Sequence, residues 1–520
     1  MAQWSVGCVT SGDFLAFSQF GVMLVHTLIS ISLLLLLAAR NRVVAYGVLP
    51  VVLFLWVVPV FLHLTMGPCM YSELITGALE TSWEELSGLL TCSVITMLVV
   101  LVLVSLALAY VLRRFFTVMQ RLPKVRVWGI ALGYIVLTHA SVPLLAEFSP
   151  RQLLPLLFPP VHGDAEEKAW LQDNYVANML NETCPAYAYR VLMPYYRQVA
   201  FVYYVADYYR VKQVNKAELL PSSRMCDDDV VVVLVIGESY RSDHASWNGY
   251  SRETLPQLSA ERSNIINFPY FKSFATSTVS SIYGILSDAT CRNREAAHTS
   301  FLSLMQKYGF EHQLLLCRTT QWTRNPQIAT VLDKKLTNIE MCTDTAAVEA
   351  RVAEAAAAGG LRFVMLEDGT GHAPYDHEPC FSRFGSGTVD MYDNCLLQTD
   401  DLLNRLVQQL KDKKAVLLYS SDHGQSFGEQ GCYMHGGALG VVKQRHVFSF
   451  VWYSDKYAAA HPDKVTAMRA NAQKALSHDD IYLSLLSLSG IECKLPRPEC
   501  GDFTKPLARP EVSEFVLSED

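Results

Sequence analysis

Hydrophobic and polar positions divide this chain into two regimes. Up to residue 146 the apolar residues come in long uncharged stretches, 14–39, 44–66, 89–112 and 127–146. Each is near the ~20 residues that cross a bilayer as a helix, so four transmembrane helices are expected. A cleavable leader explains the first stretch less well, because no basic segment precedes it and further stretches follow. From residue 229 short β-rich runs alternate with helical ones, the signature of an α/β domain with a mostly parallel central sheet. Strands are expected at VVVVLVIG (230–237), HQLLLC (312–317), LRFVML (361–366) and AVLLYSS (415–421), with HVFSFVWYS (446–454) late in the domain. AAVEARVAEAAAAGG reads as a scaffold helix. Between the two regimes, residues 147–225 carry Pro150, Pro155, Pro159 and Pro160 and the run YYRQVAFVYYVADYY. Tyrosine-rich amphipathic helices resting on a bilayer fit this segment, and so does ordinary packing against the outer domain. The expected organisation is a transmembrane domain at 1–146, a linker at 147–225 and a catalytic domain at 226–520.

Charge then orients the chain. Arg40 and Arg42 lie between the first two stretches, and Arg113, Arg114, Arg121, Lys124 and Arg126 between the last two, whereas residues 1–13 and 67–88 contain no Lys or Arg. The basic loops belong on the cytoplasmic side, which puts both termini and everything after about residue 147 outside. Of thirteen cysteines, Cys184, Cys226, Cys291, Cys317, Cys342, Cys380, Cys395, Cys432, Cys493 and Cys500 fall in that outer part. An oxidising compartment favours some disulfides there, and Cys493 with Cys500 would close a small C-terminal loop; buried thiols are the alternative for several. The net charge of -7 gives no hint of nucleic-acid binding.

Candidate chemistry sits just past the strands, where open α/β sheets bind ligands. Glu238 ends the first run, His372 lies in EDGTGHAP after the third, and Asp422, His423 and His435 lie in SDHGQSFGEQGCYMH after the fourth. Carboxylates and imidazoles converging from several strand ends suit Zn²⁺, which accepts mixed nitrogen and oxygen ligands. Taken singly, each reads better as a solvated loop residue beside a core strand, and that reading weakens as they accumulate. In FATSTVSSIYGILSDA, Thr276, Ser277 and Thr278 precede a run of helical periodicity. A hydroxyl there is either a plain N-cap or, beside a cation and the positive end of a helix dipole, an activated nucleophile.

These motifs together carry a resemblance. GESYRSDHASWNGYSRETLPQL, TST before a helix, GHAPY, MYDNCLLQTDDLL and SDHGQSFGEQGCYMHG are similar to the phosphoethanolamine transferases of Gram-negative envelopes, which include lipid A modifiers and mobile colistin-resistance enzymes. The match covers most of residues 229–450. It implies an inner-membrane protein with an alkaline phosphatase/sulfatase-like domain in the periplasm. It implies one or two Zn²⁺, with Glu238, Thr278, Asp422 and His423 as metal ligands, and Thr278 as the nucleophile that becomes phosphoethanolaminated. His372 and His435 match histidines that hold the phosphate or a second zinc and assist proton transfer. Glu80, Thr81 and Glu85, in ALETSWEELSGLL, match a loop that shapes the lipid-substrate site, and Arg324 is the nearest candidate for a basic phosphate contact. Read without the family, the ALETSWEELSGLL residues form a capped interfacial helix.

The implied reaction moves phosphoethanolamine from phosphatidylethanolamine to an envelope glycolipid or glycan, lipid A first among them, in a protein read as a monomer with no nucleic-acid partner. Departures from the family are visible. Four stretches replace five, the positions of a disulfide that flanks the nucleophile loop are Phe274 and Gly284, SHGP becomes GHAP and GESLGE becomes GQSFGE. A sulfatase activity is disfavoured because TSTVSSIYG lacks C/S-x-P-x-R. The alternatives are a glycerolphosphate transferase of the lipoteichoic-acid-synthase type and a non-catalytic membrane sensor with a decayed enzyme domain.

Overall fold

The structure, a computed structural model, describes residues 219–224, residues 229–515 apart from short gaps, and scattered positions between 43 and 133. The four apolar stretches and the 147–225 segment fall almost entirely outside the described residues, as do Glu80, Thr81, Glu85 and Arg324. Among the described residues no helix is long and apolar enough to cross a membrane. The chain divides into two compact units, the second beginning at Tyr208.

That second unit is built on a seven-stranded sheet. Its strands are β1 (Val230–Gly237), β2 (Ile265–Asn267), β3 (Glu311–Leu316), β4 (Asn338–Met341), β5 (Leu361–Asp368), β6 (Ala415–Ser421) and β7 (Ser449–Tyr453), in the order β2-β7-β6-β1-β5-β3-β4. β7 runs antiparallel to its neighbours β6 and β2, and all the remaining pairs are parallel. The unbroken apolar run of β1 follows from this order: a central parallel strand covered on both faces has no solvent side to make polar, and every residue from Val230 to Gly237 is buried. The late run HVFSFVWYS is split. His446–Val447 joins Phe271–Lys272 and Leu476–Ser477 in a separate small sheet, and only Ser449–Tyr453 enters the main one.

Helices α1 (Thr278–Leu286), α2 (Thr345–Ala358) and α3 (Thr388–Leu410) are the ones that matter for the site. Val348 and Val352 of α2 and Leu396, Leu403, Leu406 and Leu410 of α3 share one core with Val231, Val233 and Val235 of β1. Their spacing is that of one helical stripe laid on one sheet face. The Ala-rich helix begins where Asp344 accepts a hydrogen bond from the Ala347 amide at 2.7 Å, an N-cap.

Ser222–Arg224, at the end of the segment read as linker, pairs antiparallel with Ile491–Cys493. Cys493 carries a free thiol, so the expected Cys493–Cys500 loop is not closed. The Cys493 sulfur belongs to a strand that is already held by this ladder, and burial pushes its pKa up to about 11. Cys317, Cys342 and Cys380 are free thiols as well.

Asp400 of α3 is fully buried and accepts hydrogen bonds from the Gln257 and Leu258 amides at 2.8 and 3.0 Å. Burial nonetheless pushes its pKa up to about 7. Between the unfolded value of about 3.9 and that folded value the native state holds a proton that the unfolded chain lacks. Stability is therefore expected to fall as pH rises from about 4 to about 7, by at most ~1.4 kcal/mol per pH unit from this group. Asp400→Asn is expected to remove that contribution. Urea unfolding of both proteins across the range reads it, and an identical pH slope in the two would contradict it.

Candidate metal and nucleophile site

Three neighbouring strands deliver the site. β6, β1 and β5 stand side by side and run the same way, so their carboxyl ends open on one crevice. Glu238 follows β1, Asp422 and His423 follow β6, and His372 lies on the loop after β5. His435 comes next along the chain, just past a small hairpin of Ser426–Phe427 and Tyr433–Met434.

The backbone at these turns is strained. Among the described residues, three other than glycine have positive φ: Ser239 (60°), Tyr375 (65°) and Met434 (63°). Ser239 is adjacent to Glu238, Met434 to His435, and Tyr375 lies three positions beyond His372. Strain of this kind costs of order 1–3 kcal/mol per residue and collects where geometry is held for function. The turn at Ser239 brings its amide to Asp422 Oδ1 (3.0 Å) and its hydroxyl to Glu238 Oε1 (2.6 Å). At Gly371 a Cβ would overlap the Glu238 carbonyl, and only glycine lets this loop pass so close to the end of β1.

The polar atoms meet at one point. Glu238, His423 and His435 each offer a ligand atom, all within 4.8 Å of one another. His423 Nε2 lies 3.2 Å from Asp422 Oδ2, 3.5 Å from Glu238 Oε1 and 3.2 Å from Thr278 Oγ1, and that hydroxyl is 3.5 Å from Glu238 Oε2. His423 Nδ1 is 2.9 Å from the Gly424 carbonyl, and His372 Nδ1 is 2.6 Å from that of Ala373. A carbonyl only accepts, so in both rings Nδ1 carries a proton, and in the neutral ring Nε2 keeps its lone pair.

Two carboxylates share this buried place with opposite outcomes. Burial raises the pKa of Glu238, but the positive charge that His423, His372 and His435 bring when protonated, with the Ser239 hydroxyl, more than offsets this and holds it at about 2. Burial, and then the charge of Glu238, push Asp422 well above the usual carboxylate range. Asp422 Oδ1 accepts from the Ser239 and His423 amides, whereas Oδ2 is buried with no hydrogen-bond donor. An orphaned carboxylate oxygen is costly unless something positive meets it. A cation does so, and the oxygen and nitrogen donors around it fit Zn²⁺.

Thr278 opens α1, and the preceding Ser277 makes no side-chain hydrogen bond to the first-turn amides. The plain N-cap reading of this Ser/Thr run therefore does not describe it. The loop before Thr278 is clamped on several sides. Arg445 Nε donates to the Ser273 carbonyl (2.8 Å), the Phe274 amide donates to His478 Nδ1 (3.0 Å), and the Gly436 amide donates to the Thr276 carbonyl (2.6 Å). Burial pushes His478 down to about 3, so its ring is neutral, and its Nε2 stands 3.0 Å from the Ser421 carbonyl at the end of β6. One imidazole thus ties the nucleophile loop to the strand that carries Asp422 and His423.

A Cβ on Gly284 would overlap the Phe274 ring. The two positions that the resemblance maps to a disulfide are therefore packed against each other, and an aromatic ring seated on a glycine takes the place of the covalent link. Gly284→Ala is expected to cost about 1–3 kcal/mol by overpacking. Thermal unfolding checks it, and an unchanged midpoint would contradict the contact.

Of the residues singled out from the sequence, the structure brings together Glu238, Thr278, Asp422, His423 and His435, with the His372 ring centre 5.7 Å from that of His435. Gln425, His478 and Arg445 were not singled out, because lone buried polar residues leave no periodic or spacing signal. A cleft of about 650 Å³, lined by Phe310, His312 and Arg362 among others, lies at the amino ends of β3 and β5 and contains none of the site residues.

The sulfatase family is matched over residues 231–491, half of the chain. Phosphatidylethanolamine transferase Mcr-1 of Escherichia coli is 30% identical over 301 residues, covering 50% of this chain and 53% of that protein. Phosphoethanolamine transferase EptA of Escherichia coli K12 is 26% identical over 299 residues, covering 51% and 54%. The chain thus spans about half the length of the curated relatives it matches. Among solved structures, the integral membrane protein lipooligosaccharide phosphoethanolamine transferase A (EptA) from Neisseria meningitidis aligns with a TM-score of 0.64 at 19% identity, over 92% of this chain and 90% of that one, a likeness of fold. The chain belongs to the sulfatase family, and the curated relatives it resembles are phosphoethanolamine transferases.

Proposed function

We propose that the chain transfers phosphoethanolamine from phosphatidylethanolamine to an envelope glycolipid or glycan, lipid A being the first candidate, through a phosphoethanolamine adduct of Thr278. The observation that carries this reading is the position of the Thr278 hydroxyl. It is 3.2 Å from His423 Nε2, at the opening of a helix and beside an orphaned Asp422 oxygen. Glu238, His423 and His435, with Asp422 and Thr278 Oγ1 beside them, would hold one Zn²⁺. Bound there, zinc would supply Lewis acidity that lowers the pKa of the Thr278 hydroxyl and offsets charge on the phosphoryl oxygens.

The residues do the remainder. Thr278 Oγ1 forms a bond to phosphorus as the bond to the diacylglycerol oxygen breaks, and the threonine proton ends on that departing oxygen. In the second half an acceptor hydroxyl or phosphate oxygen forms the bond to phosphorus, and Thr278 Oγ1 leaves and recovers a proton. His372, with its Nε2 lone pair beside the three-ligand cluster, is the residue assigned to carry the proton in each direction. The start of α1 holds the phosphate, since a helix N-terminus favours anions. Phosphoryl transfer needs chiefly positioning and charge neutralisation, so these parts suffice.

A lipid donor gives the apolar first part of the chain a purpose: an inner-membrane anchor that keeps a periplasmic catalytic unit, working as a monomer, at the bilayer. Glu80, Thr81, Glu85 and Arg324 remain in this proposal as substrate contacts. The curated relatives favour phosphoethanolamine over glycerolphosphate as the group moved, and the assembled ligand set argues against a decayed, non-catalytic domain. Envelope glycolipid masses from cells carrying the wild-type chain or Thr278→Ala test the reading. A phosphoethanolamine increment present only with the wild type is expected, and identical spectra would contradict it.

A further inference from the structure

The three histidines around the site are held in one tautomer by different means. For His423 and His372 the acceptor at Nδ1 is a backbone carbonyl, which no substitution removes. For His435 it is a side chain: Nδ1 lies 3.1 Å from Gln425 Oε1. Gln425 is fully buried, and its amide nitrogen faces the Tyr375 hydroxyl and, at 3.8 Å, the Met434 sulfur. A thioether sulfur accepts and never donates, so the NH₂ end of the amide points at Met434 and the oxygen at His435. That oxygen can only accept, so the neutral His435 ring carries its proton on Nδ1 and keeps its lone pair on Nε2. The residues that fix this arrangement are the strained ones, since Tyr375 and Met434 both have positive φ. Where the family's GESLGE has a carboxylate, this chain has a neutral amide that tells one end from the other.

We propose that Gln425 is a positioning residue that locks His435 in the Nδ1–H tautomer and so aims its Nε2 lone pair at the cation between Glu238 and His423. The inference rests on the metal reading given above. Partners in the outer shell of a metal-bound histidine set the tautomer and basicity of the ligand, and their loss typically costs about 10–100-fold in metal affinity. Gln425→Met keeps the length of the side chain and removes the acceptor. Gln425→Glu keeps an oxygen that accepts from His435 and from the Tyr375 hydroxyl.

The test is zinc affinity of the full chain, measured by competition with a chromogenic chelator. Gln425→Met is expected to bind zinc about 10–100-fold more weakly, with Gln425→Glu recovering most of the loss. The same Met substitution made on His435→Ala is expected to change nothing further, because the lock then has nothing to hold. Equal affinity in wild type and Gln425→Met would overturn the lock, and so would an undiminished effect on the His435→Ala background. Should Gln425→Met fail to fold, Tyr375→Phe carries the test. It frees one end of the amide and is expected to weaken zinc binding in the wild type but not on His435→Ala; an equal loss in both would overturn the lock. A wild-type chain that binds no zinc would instead overturn the metal reading itself.

Discussion

Thr278→Ala is expected to abolish turnover, by about 10⁴ to 10⁶-fold, the scale seen when a covalent nucleophile is removed. The loss should appear in kcat, because Glu238, Asp422, His423 and His435 and the backbone amides at the start of α1 are unchanged. Ser281, the next hydroxyl along the same helix with a described bond, donates to the Ala275 carbonyl and is committed there. Thr278→Ser retains the oxygen and is expected to keep a measurable part of the rate. Diacylglycerol release from phosphatidylethanolamine vesicles measures both variants. Full activity in Thr278→Ala would remove the nucleophile from the account.

The second large effect concerns the cation. Removing a ligand, as in Glu238→Gln or His423→Ala, is expected to weaken zinc binding by more than the ~10–100-fold typical of an outer-shell change. Chelation should silence the wild type and lower its unfolding temperature, since a ligand that binds only the native state stabilises it in proportion to the logarithm of its concentration. The pH dependence has a definite sign. Burial and the Glu238 charge push the pKa of Asp422 up, so it takes up a proton more readily than an ordinary carboxylate. Zinc competes with that proton, so affinity is expected to fall as pH is lowered. Competition titrations at several pH values measure it. Affinity independent of pH, or unchanged in Glu238→Gln, would argue against these residues as ligands.

Much of this site is legible in the sequence because strand ends leave a local mark. A fully apolar, Val-rich run that stops at Gly237-Glu238 reads as a buried strand with a carboxylate at its end, and the same logic holds for AVLLYSS ahead of Asp422 and His423. Thr278 is legible by its place before a helical period. Gln425, His478 and Arg445 are not, because each acts through one or two hydrogen bonds to residues far along the chain, and no window of sequence contains both partners. His478, for instance, joins Phe274 to Ser421 across the sheet. The short strands Ile265–Asn267 and Asn338–Met341 escape for a different reason. They lie at the outer positions of the sheet, where pairing on one side suffices and the apolar run is brief. Phe274 against Gly284 shows the limit of reading by resemblance. An absent disulfide looks like a loss, yet the two positions still touch.

The central claim is that residues spread from Glu238 to His435 enclose one cation beside the Thr278 oxygen. Crystals of the zinc-loaded chain, with anomalous diffraction recorded at the zinc edge, test it most directly. The account predicts a peak bounded by Glu238, His423 and His435 and in contact with Thr278 Oγ1. A peak elsewhere, or none from protein shown by elemental analysis to carry zinc, would contradict it.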